Sequence, residues 1–114
     1  MPWIGGTAVS AADELVAIMR QNRILSEVKR ERERQDGKWG QQNHSPEVWL
    51  MILGEEVGEA NRAALEALAP CGNPIGDRRE WLMAYRKELI HVAAVAIAMI
   101  ESVDRNELKE APSE

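Results

Sequence analysis

Two short spacings carry the chemical content of this sequence: Glu56-x-x-Glu59 and Glu88-x-x-His91, both set inside its most apolar stretches. On a helix, residues three apart share a face, so each pair projects its ligand atoms into the same space. Carboxylates where leucine would pack better cost stability unless a cation neutralises them, and the simplest such cation is a metal ion. Glu55 adds a third carboxylate to the first turn. If the two helices pack antiparallel, both pairs face one cavity, and three or four oxygen ligands there suit Mg2+ or Mn2+. Each residue also has a plainer reading. Acidic turns occur on solvated helix surfaces, Glu55 can stand behind the ligands, and a histidine in an apolar helix can be a hydrogen-bonded core residue.

The elements that must position these residues are helices. A first helix is expected over about Ala11–Gln35, capped by Ser10, with an imperfect apolar stripe from Leu15 to Val28 and a possible break near Gln21-Asn22. Its Lys29–Arg34 segment alternates in charge, as a solvated face with salt-bridging neighbours does, or as one or two arginines gripping phosphate would. Gly37 and Gly40 are expected to end that helix and to bracket Lys38-Trp39, ahead of a polar loop through His44. Ser45-Pro46 then opens a second helix to about Ala69, burying Trp49, Ile52, Leu53, Val57 and Ala60. After a turn-rich linker over 70–76, Asp77 caps a third helix to about Val103, with Glu80 at capping-box spacing. No strand-like alternation or internal repeat occurs.

Size and charge narrow the classes. At 114 residues the chain is expected to form one domain over 11–104, with a flexible N-terminus (1–10) and a polar tail (105–114). A formal charge of -5 argues against a binder of nucleic-acid polymers or anionic membranes. The longest apolar run, Leu89–Ile100, is too short to span a bilayer, and the N-terminus does not read as a signal peptide. The single cysteine, Cys71, reads as a loop bystander and fits a reducing cytoplasm. An apolar run of that kind needs helices on several sides. A homodimer that completes a four-helix core is the minimum arrangement, and a dimer of dimers is the larger one.

Lys38-Trp39-Gly40, His44, Leu53–Ala60 and Lys87–His91 together resemble the MazG-like all-α nucleoside triphosphate pyrophosphohydrolases, over roughly Arg30 to Glu101. The resemblance implies metal-dependent hydrolysis of a (deoxy)nucleoside triphosphate to the monophosphate and pyrophosphate. It carries Glu56, Glu59 and Glu88 over as metal-binding and catalytic, with Glu55 as a base or an orienting group. Trp39 then suits stacking on a nucleobase, Asn43 and His44 contact base or sugar, and Lys38, Arg34 and Lys87 are partners for the triphosphate. Each of these six has the alternative of being an ordinary surface or core-edge residue.

His91 departs from that family pattern, which asks for aspartate. Neutral imidazole binds Mg2+ poorly and Mn2+, Zn2+ or iron better, so the metal could differ, three carboxylates could suffice, or activity could be lost. Two rival functions follow. One is a non-catalytic helical oligomer that binds nucleotides or a partner protein. The other is a di-iron carboxylate bundle, in which Glu-x-x-His and a glutamate from another helix are doubled by a two-fold axis.

Overall fold

The computed structural model describes residues 9–68 and 77–109. Among these the chain is all-helical, with α1 (Ala11–Trp39), α2 (Pro46–Leu68) and α3 (Arg78–Asn106) and no strand. The linker over 70–76, with Cys71, lies outside the described residues, as do the terminal segments 1–8 and 110–114.

The starts of all three helices follow their capping residues. Ser10 Oγ accepts from the backbone N–H of Asp13, Ser45 Oγ from that of Val48, and an Asp77 carboxylate oxygen from that of Glu80. The end of α1 differs from expectation. The helix passes through Gln21-Asn22 without interruption and continues through Gly37 to Trp39. A helical glycine costs about 1 kcal/mol relative to alanine. Ion pairs on the preceding turn, Glu31–Arg34 and Arg32–Asp36, work against that loss. Gly40 ends the helix instead, at a φ of 73° that favours glycine, with its N–H donated to the Asp36 carbonyl. Helix α3 likewise runs past Val103 to Asn106.

α3 is the central element: α2 and α1 both pack on it and not on each other. Contacts from Ala67 with Arg78 through Trp49 with Ala98 run in opposite chain directions, so α2 and α3 are antiparallel, as expected. The Glu27–Arg86 and Arg32–Glu101 pairs advance in the same chain direction, so α1 packs on α3 in the same general sense. Ala60, Ala63 and Ala67 on α2 and Ala94 on α3 are buried, and such small side chains let helix axes approach closely. Trp49, 5 % exposed, packs on Val95 and Ala98, with Ile52, Leu53 and Met99 around it. Val57 does not join them: it is 39 % exposed.

The apolar surface left over is large. α1 residues 11–23 are exposed throughout, including Leu15, Ile18 and Met19. Leu89, Ile97 and Ile100 are exposed along one side of α3. No described helix is long and apolar enough to cross a membrane.

Candidate functional site

The antiparallel pairing of α2 with α3 brings the two sequence motifs together. His91 Nδ1 lies 3.3 Å from a carboxylate oxygen of Glu88, one turn earlier on α3, and 3.6 Å from Oε2 of Glu56 on α2. One ligand atom from each of Glu56, Glu88 and His91 falls within 4.8 Å of the others, and all three residues are half-buried. Glu59 is outside this trio and exposed, but Glu88 beside it pushes its carboxyl above the usual range. Burial pushes the Glu56 carboxyl up as well, with Glu59 and Glu88 adding to the effect and His91 opposing it.

These features test whether a cation fits. Oε2 of Glu56 is buried and accepts no hydrogen bond, an arrangement that is costly without a partner. Three carboxylates from two helices repel one another around that atom. A divalent cation would supply the missing partner and relieve the repulsion, so the donor set fits a metal. Two carboxylates plus an imidazole nitrogen suit Mn2+ better than Mg2+.

A residue that sequence reasoning missed completes the cluster. Glu31 on α1 puts a carboxylate oxygen 3.8 Å from Nε2 of His91, and the same carboxylate accepts from Arg34 at 2.9 and 2.7 Å and from Gln35 at 3.1 Å. The Arg34 guanidinium holds the Glu31 carboxyl below its ordinary range, against the opposing effect of burial. A signal for Glu31 was present. Ile24, Val28, Glu31 and Gln35 follow one another at helical spacing, so the buried stripe of α1 runs on into the charged segment. The alternating charges of that segment do form salt bridges along the helix. They are not simply a solvated face, because Arg32 donates to Glu101 on α3 at 3.2 and 2.7 Å.

The cluster opens into a cavity of about 610 Å³ between α1, the 40–44 loop, α2 and α3. Glu55, Glu56, Glu59 and His91 line one part of it, and Trp39, Gln42, His44 and Trp49 line another. Trp39 is 54 % exposed, with the Lys38 ammonium 4.6 Å from its ring centroid and the Arg34 guanidinium at 6.0 Å. His44 stands edge-on to Trp49 at 4.9 Å and faces the Gln42 side-chain oxygen at 3.3 Å.

Not every expected residue joins the cavity. The Asn43 side-chain oxygen already accepts from Arg105 at 3.1 Å and Asn106 at 2.9 Å, so it ties the loop to α3 rather than facing the cavity. Lys87 lines a different recess, between α1 and α3. Lys38 covers the Trp39 ring and is not among the residues lining the cavity. Arg105, which sequence reasoning also passed over, does line it.

No protein-family model, curated protein or solved structure matches this chain.

Proposed function

We propose that this chain is a metal-dependent hydrolase that converts a (deoxy)nucleoside triphosphate to the monophosphate and pyrophosphate. One observation carries the reading: a Glu56–Glu88–His91 cluster with an unpartnered buried carboxylate oxygen opens into a cavity with aromatic side chains elsewhere in its wall. The cation bound by Glu56, Glu88 and His91, with Glu59 beside them, would neutralise charge developing on phosphate oxygens and lower the pKa of bound water. The exposed face of Trp39 is available for stacking on a base, and His44 and Gln42 offer polar atoms to base or sugar. Glu55 lines the same cavity and is exposed, a position suited to a general base. In the reaction, the water oxygen bonds to the α-phosphorus as its proton passes to Glu55. The bond from that phosphorus to the bridging oxygen breaks, and its electron pair leaves with pyrophosphate.

The exposed apolar residues of α1 and α3 support a homodimer that completes the helical core, or a dimer of dimers. Pyrophosphate release from a panel of nucleoside triphosphates with Mg2+ or Mn2+ tests the activity. Nucleotide binding without turnover of any of them would favour a non-catalytic nucleotide-binding oligomer.

One observation favours a second reading. His91 Nδ1 faces both Glu56 and Glu88, and Glu-x-x-His with a glutamate from a neighbouring helix, doubled across a dimer, is also a di-iron ligand set. Iron in the purified protein, with an absorption band that changes on reduction, would support it. A colourless, iron-free protein that releases pyrophosphate would end it.

A further inference from the structure

The large cavity is not the only recess that meets the acidic cluster. A groove of about 440 Å³ lies between α1 and α3, and Glu31, Arg34 and His91 line both spaces. The two recesses therefore meet at the cluster, but their charges differ. Glu55, Glu56 and Glu59 belong to the large cavity alone, with Asp36 and Glu101 against Arg32 and Arg105, whereas the groove carries Arg30, Arg34, Arg86 and Lys87 against Glu27 and Glu31. That local excess of cations stands out in a chain whose formal charge is -5.

The four cations fall into two kinds. Arg86 is held by Glu27 through paired contacts of 2.8 and 2.6 Å, and Arg34 is held by Glu31 in the same way. Such pairing fixes a guanidinium in place while leaving other N–H groups to donate. Arg30 and Lys87 have no ion-pair partner among the described residues, and both are exposed. Fixed guanidiniums beside free cations in an open groove suit a compact polyanion with oxygens on all sides.

A triphosphate carries most of its charge at its outer phosphates, and the large cavity would repel them, because its carboxylates outnumber its arginines even without Glu56, which would hold the cation. With the α-phosphate at the cluster and the nucleoside in the large cavity, the groove is the remaining direction, and it has the matching sign. Resting on the hydrolase reading, we infer that the α1–α3 groove is a pyrophosphate subsite. It holds the two outer phosphates of the substrate and, after cleavage, inorganic pyrophosphate. Arg30 and Lys87 bind them directly, while Arg34 and Arg86 contribute from their anchored positions.

The test uses inorganic pyrophosphate itself, titrated calorimetrically into the full chain with Mn2+ present. Removing both free cations, Arg30→Gln with Lys87→Gln, should weaken pyrophosphate binding at least about tenfold, the scale of losing charge-assisted hydrogen bonds. Affinity for a nucleoside monophosphate should stay within about twofold, and Arg62→Gln, an exposed cation on α2 away from both recesses, should change neither. Circular dichroism checks that the double variant folds. Equal pyrophosphate affinity in the folded double variant and the parent overturns the subsite, whether or not nucleotides are hydrolysed. Equal weakening of pyrophosphate and monophosphate binding also overturns it, because the cations would then be acting through general charge. Groove-dependent pyrophosphate binding in a protein that hydrolyses no nucleotide upholds the subsite and removes the hydrolase reading.

Discussion

Glu31 on α1 and His91 on α3 meet with carboxylate oxygen and Nε2 3.8 Å apart, so the imidazole has acidic neighbours at both ring nitrogens. This contact makes α1 part of the site rather than a helix that merely covers it. It also places the Glu31-bound guanidinium of Arg34 at the junction of the large cavity and the groove.

Loss of the Glu31 carboxylate should therefore be felt in both folding and function. Glu31→Ala removes a mostly buried acceptor shared by Arg34 and Gln35 along α1, and with it the approach of that carboxylate to His91 on α3. Thermal unfolding should show Tm lower by about 4 °C or more, the shift expected from losing roughly 1 kcal/mol in a chain of this size. Glu27→Ala, which breaks a more exposed pair with Arg86, should leave Tm nearly unchanged. Equal shifts for the two variants would show that Glu31 is only another surface acid.

The proposed metal ligands separate chemistry from stability. Glu56→Gln or Glu88→Gln should reduce turnover at least about a hundredfold while the oligomer, measured by sedimentation, stays intact. Unchanged activity in either variant would remove that residue from the site. His91→Asp replaces nitrogen with a hard oxygen donor and should raise Mg2+-supported turnover relative to Mn2+. A loss with both metals would instead give His91 a role of its own, consistent with its contact to Glu31.

The cluster also predicts how the metal-free protein responds to pH. Burial and the neighbouring Glu59 and Glu88 carboxylates push the Glu56 carboxyl above the ordinary value of 4.5, and Glu88 pushes up that of exposed Glu59, so the folded state holds protons that the unfolded chain has lost. Stability then falls as pH rises through those raised values, and metal-free protein should melt higher near pH 5 than at pH 7. Glu31 acts in the opposite sense, held low chiefly by Arg34. Its contribution is present above the ordinary value and is lost as pH falls through its lowered one, which sets the acid limit. Divalent metal needs the ionised carboxylates, so its gain in Tm should be larger at pH 7 than at pH 5. A Glu56→Gln protein whose metal-free Tm still falls as steeply above pH 5 would rule out Glu56 as the source.

Much of this architecture is legible from the sequence because it depends on local signals. Ser10, Ser45 and Asp77 cap the helices they were expected to open, and the spacing of Glu56 and of Glu88 with His91 puts all three on facing turns. What escaped depends on distant partners. Gly37 looked like a stop, but Arg32 and Arg34 form ion pairs one turn earlier, and the positive φ falls at Gly40. Glu31 and Arg32 read as members of an alternating charge run, and only the docking of α1 on α3 turns them toward His91 and Glu101. Lys87 and Arg34 were both expected to meet the triphosphate, yet nothing local could show that Lys87 lines the groove alone while Arg34 lines both recesses.

The exposed stripe on α3 gives the last prediction. Leu89, Ala93, Ile97 and Ile100 recur at helical spacing, and the three larger ones are exposed although their helix is the central one. A second copy laid across this face would bury them and build the four-helix core that three helices cannot make alone. Sedimentation equilibrium should find a dimer or a larger even assembly at micromolar concentration. Ile97→Glu puts a charge into the middle of the stripe and should shift the population toward monomer by at least about tenfold in dissociation constant, since an unpaired buried carboxylate is strongly disfavoured. Because Ile97 is exposed in the single chain, the variant's helical content should be retained. A parent protein that is monomeric, or an Ile97→Glu dimer as tight as the parent, would show that this face is not where copies meet.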